Sequence, residues 1–184
     1  MDVKKLSYFS DFAACPIAAL GVLFVTLHAS APIHLPVFVA ASLAGLIAWT
    51  LVEYLMHRFV YHRAPIIRDM HEVHHHQPLS YEGTPPLLSA ILIGLFIYAP
   101  LLPFGSNVAG GAAVGMLIGY VTYMGVHHAL HHLSPLPGSF LYALWKGHAR
   151  HHYARKEGNY GVTSDIWDRV FRTTLDQHVP GSEA

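Results

Sequence analysis

The chain has 184 residues, of which 53% are hydrophobic and 12% are charged, and its formal net charge is zero when histidine is counted as neutral. A neutral chain with no basic tract lacks the electrostatic footprint of a nucleic-acid-binding protein, so we expect no nucleic-acid partner. A single cysteine excludes an intrachain disulfide and a cysteine-bound metal centre, whereas 16 histidines leave imidazole as the ligand for any metal.

Four apolar stretches are long enough to cross a membrane, because a spanning helix needs roughly 20 mainly apolar residues. In chain order they are residues 12–31, 35–56, 87–104 and 108–126. The loop after the first stretch and the loop after the third contain no lysine or arginine, so the positive-inside rule predicts that both termini are cytoplasmic. We therefore predict an all-α fold, one integral-membrane domain (residues 1–184) with four transmembrane helices and a cytoplasmic helical cap formed by residues 57–86 and 127–184.

Two of the predicted spans carry further signals. Lys4 and Lys5 precede the first span as in a signal peptide, but its apolar core exceeds the usual length of about 7 to 15 residues, which favours a retained helix. The fourth span has glycines at four-residue spacing, which predicts that another helix backbone approaches it closely. These glycines are Gly111, Gly115 and Gly119.

Ten of the 16 histidines fall in four short clusters, two after the second predicted span and two after the fourth. Residues three or four apart lie on one face of a helix, so we expect the rings of the last three clusters to converge within each cluster. His57 and His62, five apart, fit one straight helix less well. Ten imidazoles exceed what one ion accepts, which predicts two metal ions on the cytoplasmic side. The predicted ligands are His57, His62, His71, His74, His75, His127, His131, His148, His151 and His152.

Two other kinds of metal protein are less compatible with this pattern. Carboxylate-bridged di-iron bundles need two Glu-x-x-His motifs, and the chain has one, Glu72-x-x-His75. A histidine-rich membrane metal transporter or sensor should place ionisable ligands near the middle of its spans, and the predicted spans are nearly free of them. Neutral imidazole ligands suit iron that reacts with dioxygen, although the spacing does not distinguish iron from zinc.

Longer motifs surround the histidine clusters. They are Glu53-Tyr54-x-x-His57-Arg58-Phe59-x-x-His62, His127-x3-His131 followed by Ser134-Pro135, His148-x2-His151-His152, Tyr160-Gly161-Val162-Thr163-Ser164 and Trp167-Asp168-x-x-Phe171. Together they resemble the histidine boxes of the membrane fatty acid hydroxylase and sterol desaturase superfamily, and are most similar to those of the fatty acid 2-hydroxylases. The short link between His62 and His71 is instead more like the sterol-oxidising branch.

The resemblance implies a membrane lipid hydroxylase, in which a di-iron centre uses dioxygen and two electrons to oxidise a C–H bond of a fatty acyl chain. A carotenoid ring hydroxylase and a lipid or sterol desaturase are alternatives with the same chemistry. The sequence contains no His-Pro-Gly-Gly element of a haem-binding domain, so we expect no fused haem domain, and the resemblance then implies a separate redox protein as electron donor.

The resemblance further implies roles for single residues. The ten clustered histidines become the metal ligands. Glu53 lies one helical turn before His57, where it is expected to accept a ring N–H and fix the tautomer. Asp168 is a second candidate for such support, although helix capping or solvation would explain this residue as well.

Overall fold

The computed structural model describes residues 3–29, 32–81 and 87–175. Within these ranges all regular structure is helical and no strand occurs, which confirms that the fold is all-α. In chain order the helices are α1 (Val3–Leu27), α2 (Leu35–Leu55), a π-helical turn (Met56–Tyr61), α3 (Pro65–His76), α4 (Leu88–Ile93), a second π-helical turn (Gly94–Tyr98), α5 (Ala99–Leu101), a 3₁₀ turn (Leu102–Phe104), α6 (Ser106–His132), α7 (Phe140–Tyr153) and α8 (Ile166–Val170).

Three helices are long and apolar enough to cross a membrane, and they coincide with the first, second and fourth predicted spans. These helices indicate a membrane protein. Two of them extend beyond the predicted limits: α1 begins before residue 12, and α6 continues to His132. Residues 30 and 31 of the first predicted span lie outside the described residues, as do residues 82–86 and 176–184 of the predicted cap. The helices have the bounds Lys5–Leu27, Leu35–Tyr61 and Ser106–His132.

The third predicted span is a shorter apolar helix, Leu88–Phe104, interrupted by a π-helical turn and closed by a 3₁₀ turn. Pro100 and Pro103 lie at the starts of its last two helical segments, where their missing N–H groups are tolerated. At 1.5 Å per residue this helix is about 25 Å long, against a bilayer core of about 30 Å. It is therefore helical as predicted but shorter than the other three.

The chain divides into two compact units, each built from two separate segments. The first unit consists of Met1–Trp49 and Tyr81–Met124. The second consists of Thr50–Ser80 and Gly125–Ala184 and contains all ten clustered histidines.

Within the first unit, the predicted close approach of two helices is found between α2 and α6. A Cβ atom on Gly111 would overlap the Phe38 carbonyl oxygen, and one on Gly115 would overlap the Ser42 carbonyl oxygen. Glycine is needed at these positions because any side chain would push the two backbones apart.

A buried carboxylate in α1 ties together three parts of the first unit. Asp11 is 3% exposed, and it accepts hydrogen bonds from the Leu87 backbone N–H at 3.0 Å and from the Tyr120 hydroxyl at 3.1 Å. These bonds offset the cost of removing a carboxylate from water. The sequence prediction missed Asp11 because it began the first span one residue later, although the carboxylate lies inside a helix of membrane-spanning length.

The second unit is built around residues that pack α8 onto the end of α2. Tyr54 is fully buried, stacks on the Phe171 ring at 5.3 Å and shares a hydrogen bond with the Thr173 hydroxyl at 3.0 Å. The Trp167 indole N–H donates to the Thr50 hydroxyl at 3.0 Å. These contacts hold the segment between α7 and α8 beside the histidines at the end of α2.

Candidate metal centre

The five-residue spacing of His57 and His62 is explained by a local change of helix type. α2 passes directly into the π-helical turn Met56–Tyr61, and His62 follows as its C-terminal residue. In a π-helix each N–H bonds to the carbonyl five residues earlier, so side chains five apart lie on the same face. The two ring centroids are accordingly 5.2 Å apart. The sequence-based prediction assumed an α-helix here and therefore expected the two rings to be poorly aligned.

The ten predicted ligands come together in two groups of five, and within each group the candidate ligand atoms all lie within 4.8 Å of one another. Their assignment as metal ligands stays a prediction, but no ring of the ten points elsewhere. The first cluster contains His57, His62, His71, His75 and His151; the second cluster contains His74, His127, His131, His148 and His152.

The expectation that each sequence triplet converges on one point was wrong. On α3, His71 and His75 belong to the first cluster while His74 belongs to the second. On α7, His151 belongs to the first cluster while His148 and His152 belong to the second. Residues four apart are rotated by only about 40° in an α-helix, whereas adjacent ones differ by about 100°. Each of these helices therefore contributes to both clusters.

The spacing between ring nitrogens fits a shared ion. Neighbouring Nε2 atoms are 3.1–3.2 Å apart in the first cluster and 2.8–3.2 Å apart in the second. Two nitrogens that each lie about 2.1 Å from one ion, at about 90° to each other, are separated by about 3.0 Å. Each cluster thus has the donor atoms and the spacing of a histidine-rich metal position.

The cluster histidines are held in the neutral form that binds metal. Burial, followed by the neighbouring imidazoles, lowers the pKa of His74 to about 3 and that of His152 to about 2. Burial lowers the pKa of His151 to about 3, although its hydrogen bond to the Gly158 carbonyl opposes this shift. Burial also lowers the pKa of His75 to about 4, with His62 adding to the effect and Glu72 opposing it. Neutral imidazole has the free lone pair that coordination requires.

Three buried imidazole nitrogens have no hydrogen-bond partner among the described residues: Nε2 of His74, Nδ1 of His148 and Nδ1 of His152. Buried polar atoms are nearly always bonded, so each unpaired atom calls for an explanation. A metal ion bound at the second cluster would account for the Nε2 atom of His74, because this ring belongs to that cluster.

Two rings of the first cluster are fixed by backbone carbonyls. Nδ1 of His57 donates to the Tyr160 carbonyl, and Nδ1 of His151 donates to the Gly158 carbonyl at 2.8 Å. A carbonyl can only accept, so Nδ1 carries the proton in both rings and Nε2 keeps its lone pair. Fixing the tautomer in this way is the usual task of the groups behind metal-binding histidines.

Glu53 does not take the ring proton that the sequence prediction assigned to it, since Nδ1 of His57 bonds to the Tyr160 carbonyl. The Glu53 side chain, in a residue that is 4% exposed, accepts the backbone N–H groups of Val162 at 2.6 Å and Thr163 at 2.8 Å. It also accepts the Thr163 hydroxyl. Glu53 therefore holds the segment that carries the Tyr160 carbonyl.

Asp168 holds the same segment through hydrogen bonds of its own. This residue is 1% exposed, and its carboxylate accepts the N–H groups of Tyr160 at 2.9 Å and Gly161 at 2.8 Å, together with the Thr173 hydroxyl at 2.7 Å. Burial raises the pKa of this carboxyl, and the three hydrogen bonds oppose the increase.

The backbone carbonyls of Gly158 and Tyr160 are functional groups that the sequence prediction missed. Backbone acceptors leave no signature of their own, but Asn159 between them offers an indirect one. It adopts a left-handed conformation with φ of 52°, which asparagine tolerates better than most residues. Its side chain donates to the Gly147 carbonyl and accepts the Leu175 N–H, which fixes the turn.

This chain resembles known proteins of one enzyme family. A protein-family model described as fatty acid hydroxylase matches residues 42–173. Fatty acid 2-hydroxylase of Macaca fascicularis is 33% identical, over 93% of this chain and 48% of that protein. The ceramide very long chain fatty acid hydroxylase SCS7 of Saccharomyces cerevisiae is 38% identical, over 76% of this chain and 39% of that protein.

A solved structure of full-length Scs7p, in which only the hydroxylase domain is visible, matches with a TM-score of 0.75 at 30% identity. The match covers 95% of this chain and 69% of that chain. The chain spans about half the length of the curated relatives it matches. Because the family model covers most of the sequence, the chain belongs to the fatty acid hydroxylase family.

Proposed function

We propose that this protein is a membrane lipid hydroxylase that inserts one oxygen atom of dioxygen into a C–H bond of a fatty acyl chain. The observation that carries the proposal is the pair of five-histidine clusters. The relatives named as fatty acid 2-hydroxylases and ceramide fatty acid hydroxylases support the substrate class, a free or lipid-bound fatty acyl chain.

Each cluster holds one metal ion in this proposal, and iron is the metal of the working enzyme. A bound iron pair supplies the redox chemistry that combines dioxygen with two electrons and two protons, so that one oxygen atom enters the C–H bond and the other leaves as water. Each cluster offers five nitrogen donors, one more than the four that tetrahedral zinc usually takes, and imidazole is a suitable ligand for iron, which supports iron as the metal. The protein contributes neutral ligands and buried rings, of which His57 and His148 are each 2% exposed.

We infer a membrane topology of four crossings, with Leu88–Phe104 as the third, in addition to the three longer helices. An even number of crossings puts both termini on the same side. Every lysine and arginine then lies in or beside the segments on that side, which the positive-inside rule assigns to the cytoplasm. In this topology the histidines lie on the cytoplasmic side and receive electrons from a separate redox protein.

The proposal is tested by comparing the lipids of host cells that express the wild-type protein with those of cells that express variants, under ¹⁸O₂. We expect acyl lipids that have gained one labelled oxygen atom. We also expect the purified protein to contain two metal ions per chain. His75→Ala should abolish the product because His75 belongs to the first cluster. His76→Ala is the matched control, since the neighbouring ring is outside both clusters and 76% exposed.

Three results would count against this function. If cells that express the wild-type protein have the same lipid profile as cells without the gene, the proposed hydroxylase activity is refuted. If the His75→Ala and His76→Ala variants are equally active, the assignment of His75 as a metal ligand is refuted. Metal uptake into vesicles without lipid oxidation would favour a transporter.

A further inference from the structure

Two buried carboxylates grip one short stretch of backbone, residues 158–163, here called the anchor segment. Four consecutive N–H groups in it are bound, those of Tyr160 and Gly161 by Asp168 and the next two by Glu53. The two carboxylates come from different helices, α2 and α8. Hydrogen bonds to a charged acceptor are stronger than those between neutral groups, so this stretch is fixed more firmly than an ordinary loop.

The anchor segment in turn fixes two rings of the first cluster. The Tyr160 carbonyl accepts from His57 and the Gly158 carbonyl accepts from His151. These two rings come from α7 and from the π-helical turn that follows α2, so the anchor segment sets the position of one helix's ligand relative to the other's. An imidazole held at Nδ1 loses little rotational freedom when Nε2 binds an ion, and it is also a stronger base.

Two rings of the second cluster lack this support. The Nδ1 atoms of His148 and His152 are buried, and within residues 3–29, 32–81 and 87–175 neither has a hydrogen-bond partner. Their Nε2 atoms face the cluster, 3.1 Å apart, as those of the first cluster do. The two clusters therefore have the same number of candidate ligands, but within the described part of the chain the carbonyls behind His57 and His151 have no counterpart behind His148 and His152.

We propose that Glu53 and Asp168 are positioning residues for the first metal position alone, and that the two ions are held with unequal affinity, the first cluster binding more tightly. This inference rests on the proposed function, because it requires an ion in each cluster. Loss of a group behind a metal ligand typically weakens metal binding by about 10–100-fold. Loss of the hydrogen bonds from either carboxylate should therefore weaken binding of the ion in the first cluster and leave binding of the other ion unchanged.

The central experiment measures metal release from the purified full chain to a chelator, with the bound ions counted by mass spectrometry. We expect two release phases of one ion each from the wild-type protein. Asp168→Asn should accelerate the slow phase by about 10–100-fold and leave the fast phase unchanged. Asp165→Asn is the matched control, because this neighbouring carboxylate is exposed and pairs with Arg169 at the surface. It should release both ions at the wild-type rates.

Variants of single ligands assign the affected ion to a cluster. His152→Ala disables the second cluster and leaves one ion in the first. Adding Asp168→Asn should accelerate release of this ion by the same factor as in the protein with both clusters intact. His75→Ala disables the first cluster and also leaves one ion, and the added Asp168→Asn change should then have no effect. The two double variants distinguish a positioning role of Asp168 from a general loss of structure. A general loss of structure would weaken binding of the remaining ion in both double variants.

Several outcomes would overturn the inference. They are that Asp168→Asn releases both ions together, that it releases neither ion faster, and that it weakens binding of the ion that remains in the His75→Ala protein. If Asp168→Asn does not fold, Glu53→Gln replaces it and should accelerate release of the same ion by a smaller factor, and acceleration of the other ion would refute the proposal. A wild-type protein that binds fewer than two ions would instead refute the proposed function.

Discussion

Replacing Asp168 by asparagine should destabilise the metal-free protein more than any change to an exposed carboxylate. The Asp168 carboxylate accepts three hydrogen bonds, two through Oδ1 and one through Oδ2. An asparagine amide has one oxygen and one NH₂ group, and the NH₂ group can only donate. Whichever way the amide is turned, its NH₂ group faces a backbone N–H, of Gly161 in one orientation and of Tyr160 in the other.

The expected magnitude follows from these bonds. The better orientation leaves the Gly161 N–H without an acceptor, at a cost of about 1–3 kcal/mol, and weakens two charge-assisted bonds by about 0.5–1 kcal/mol each. The total is about 2–5 kcal/mol. For a chain of this size, 1 kcal/mol corresponds to about 2–4 °C in Tm, so we expect a decrease of roughly 4–20 °C.

The assay is thermal unfolding of the metal-free protein in detergent, followed by circular dichroism at a fixed heating rate, because membrane proteins often unfold irreversibly. Asp165→Asn serves as the control and should unfold close to the wild-type temperature, since its pair with Arg169 is exposed to solvent. Equal unfolding temperatures of the Asp168→Asn and Asp165→Asn variants would refute the hydrogen-bond reasoning. Glu53→Gln should have a smaller effect than Asp168→Asn, because one amide oxygen can still accept both N–H groups that Oε1 binds.

Two further predictions concern helix packing and pH. Gly115→Ala should destabilise the protein by about 1–3 kcal/mol, because its Cβ would overlap the Ser42 carbonyl oxygen, whereas Gly125→Ala in the same helix meets open space and should not; equal unfolding temperatures of the two variants would contradict the packing. The metal-free protein should lose stability as the pH falls from about 6.5 towards 5, because unfolded histidines bind protons near pH 6.5 while the pKa of folded His75 is about 4 and that of His74 about 3. An unfolding temperature of the metal-free protein that stays constant over this pH range would contradict the buried, neutral state of the rings.

Much of the fold and of the candidate site was predictable because it depends on local features of the chain. Apolar stretches of sufficient length predicted three long helices and the shorter Leu88–Phe104 helix. The spacing of the histidines selected the ten rings that the structure brings together. The motifs around them resembled the family that the comparisons then confirmed.

Other features could not be predicted because they depend on what a helix faces after it has packed. His74 and His75 are neighbours in sequence but belong to different clusters, since α3 supplies rings to both. The π-helical turn after α2 brings His57 and His62 together, and nothing in the spacing alone announces this change of helix type. Asp11 was overlooked because the first predicted span began at residue 12 and because its partners, Leu87 and Tyr120, are remote in sequence.

The amino-acid sequence by itself determined the helical class, the apolar helices and the identity of the imidazoles, because each of these follows from side-chain chemistry at short range. Only the tertiary structure decided how ten rings divide into two groups of five and which groups stand behind them. The carbonyls of Gly158 and Tyr160 became ring acceptors because Glu53 and Asp168 hold the intervening N–H groups. Such an arrangement joins residues more than 100 positions apart, and backbone acceptors are the same at every residue, so no local pattern could reveal it.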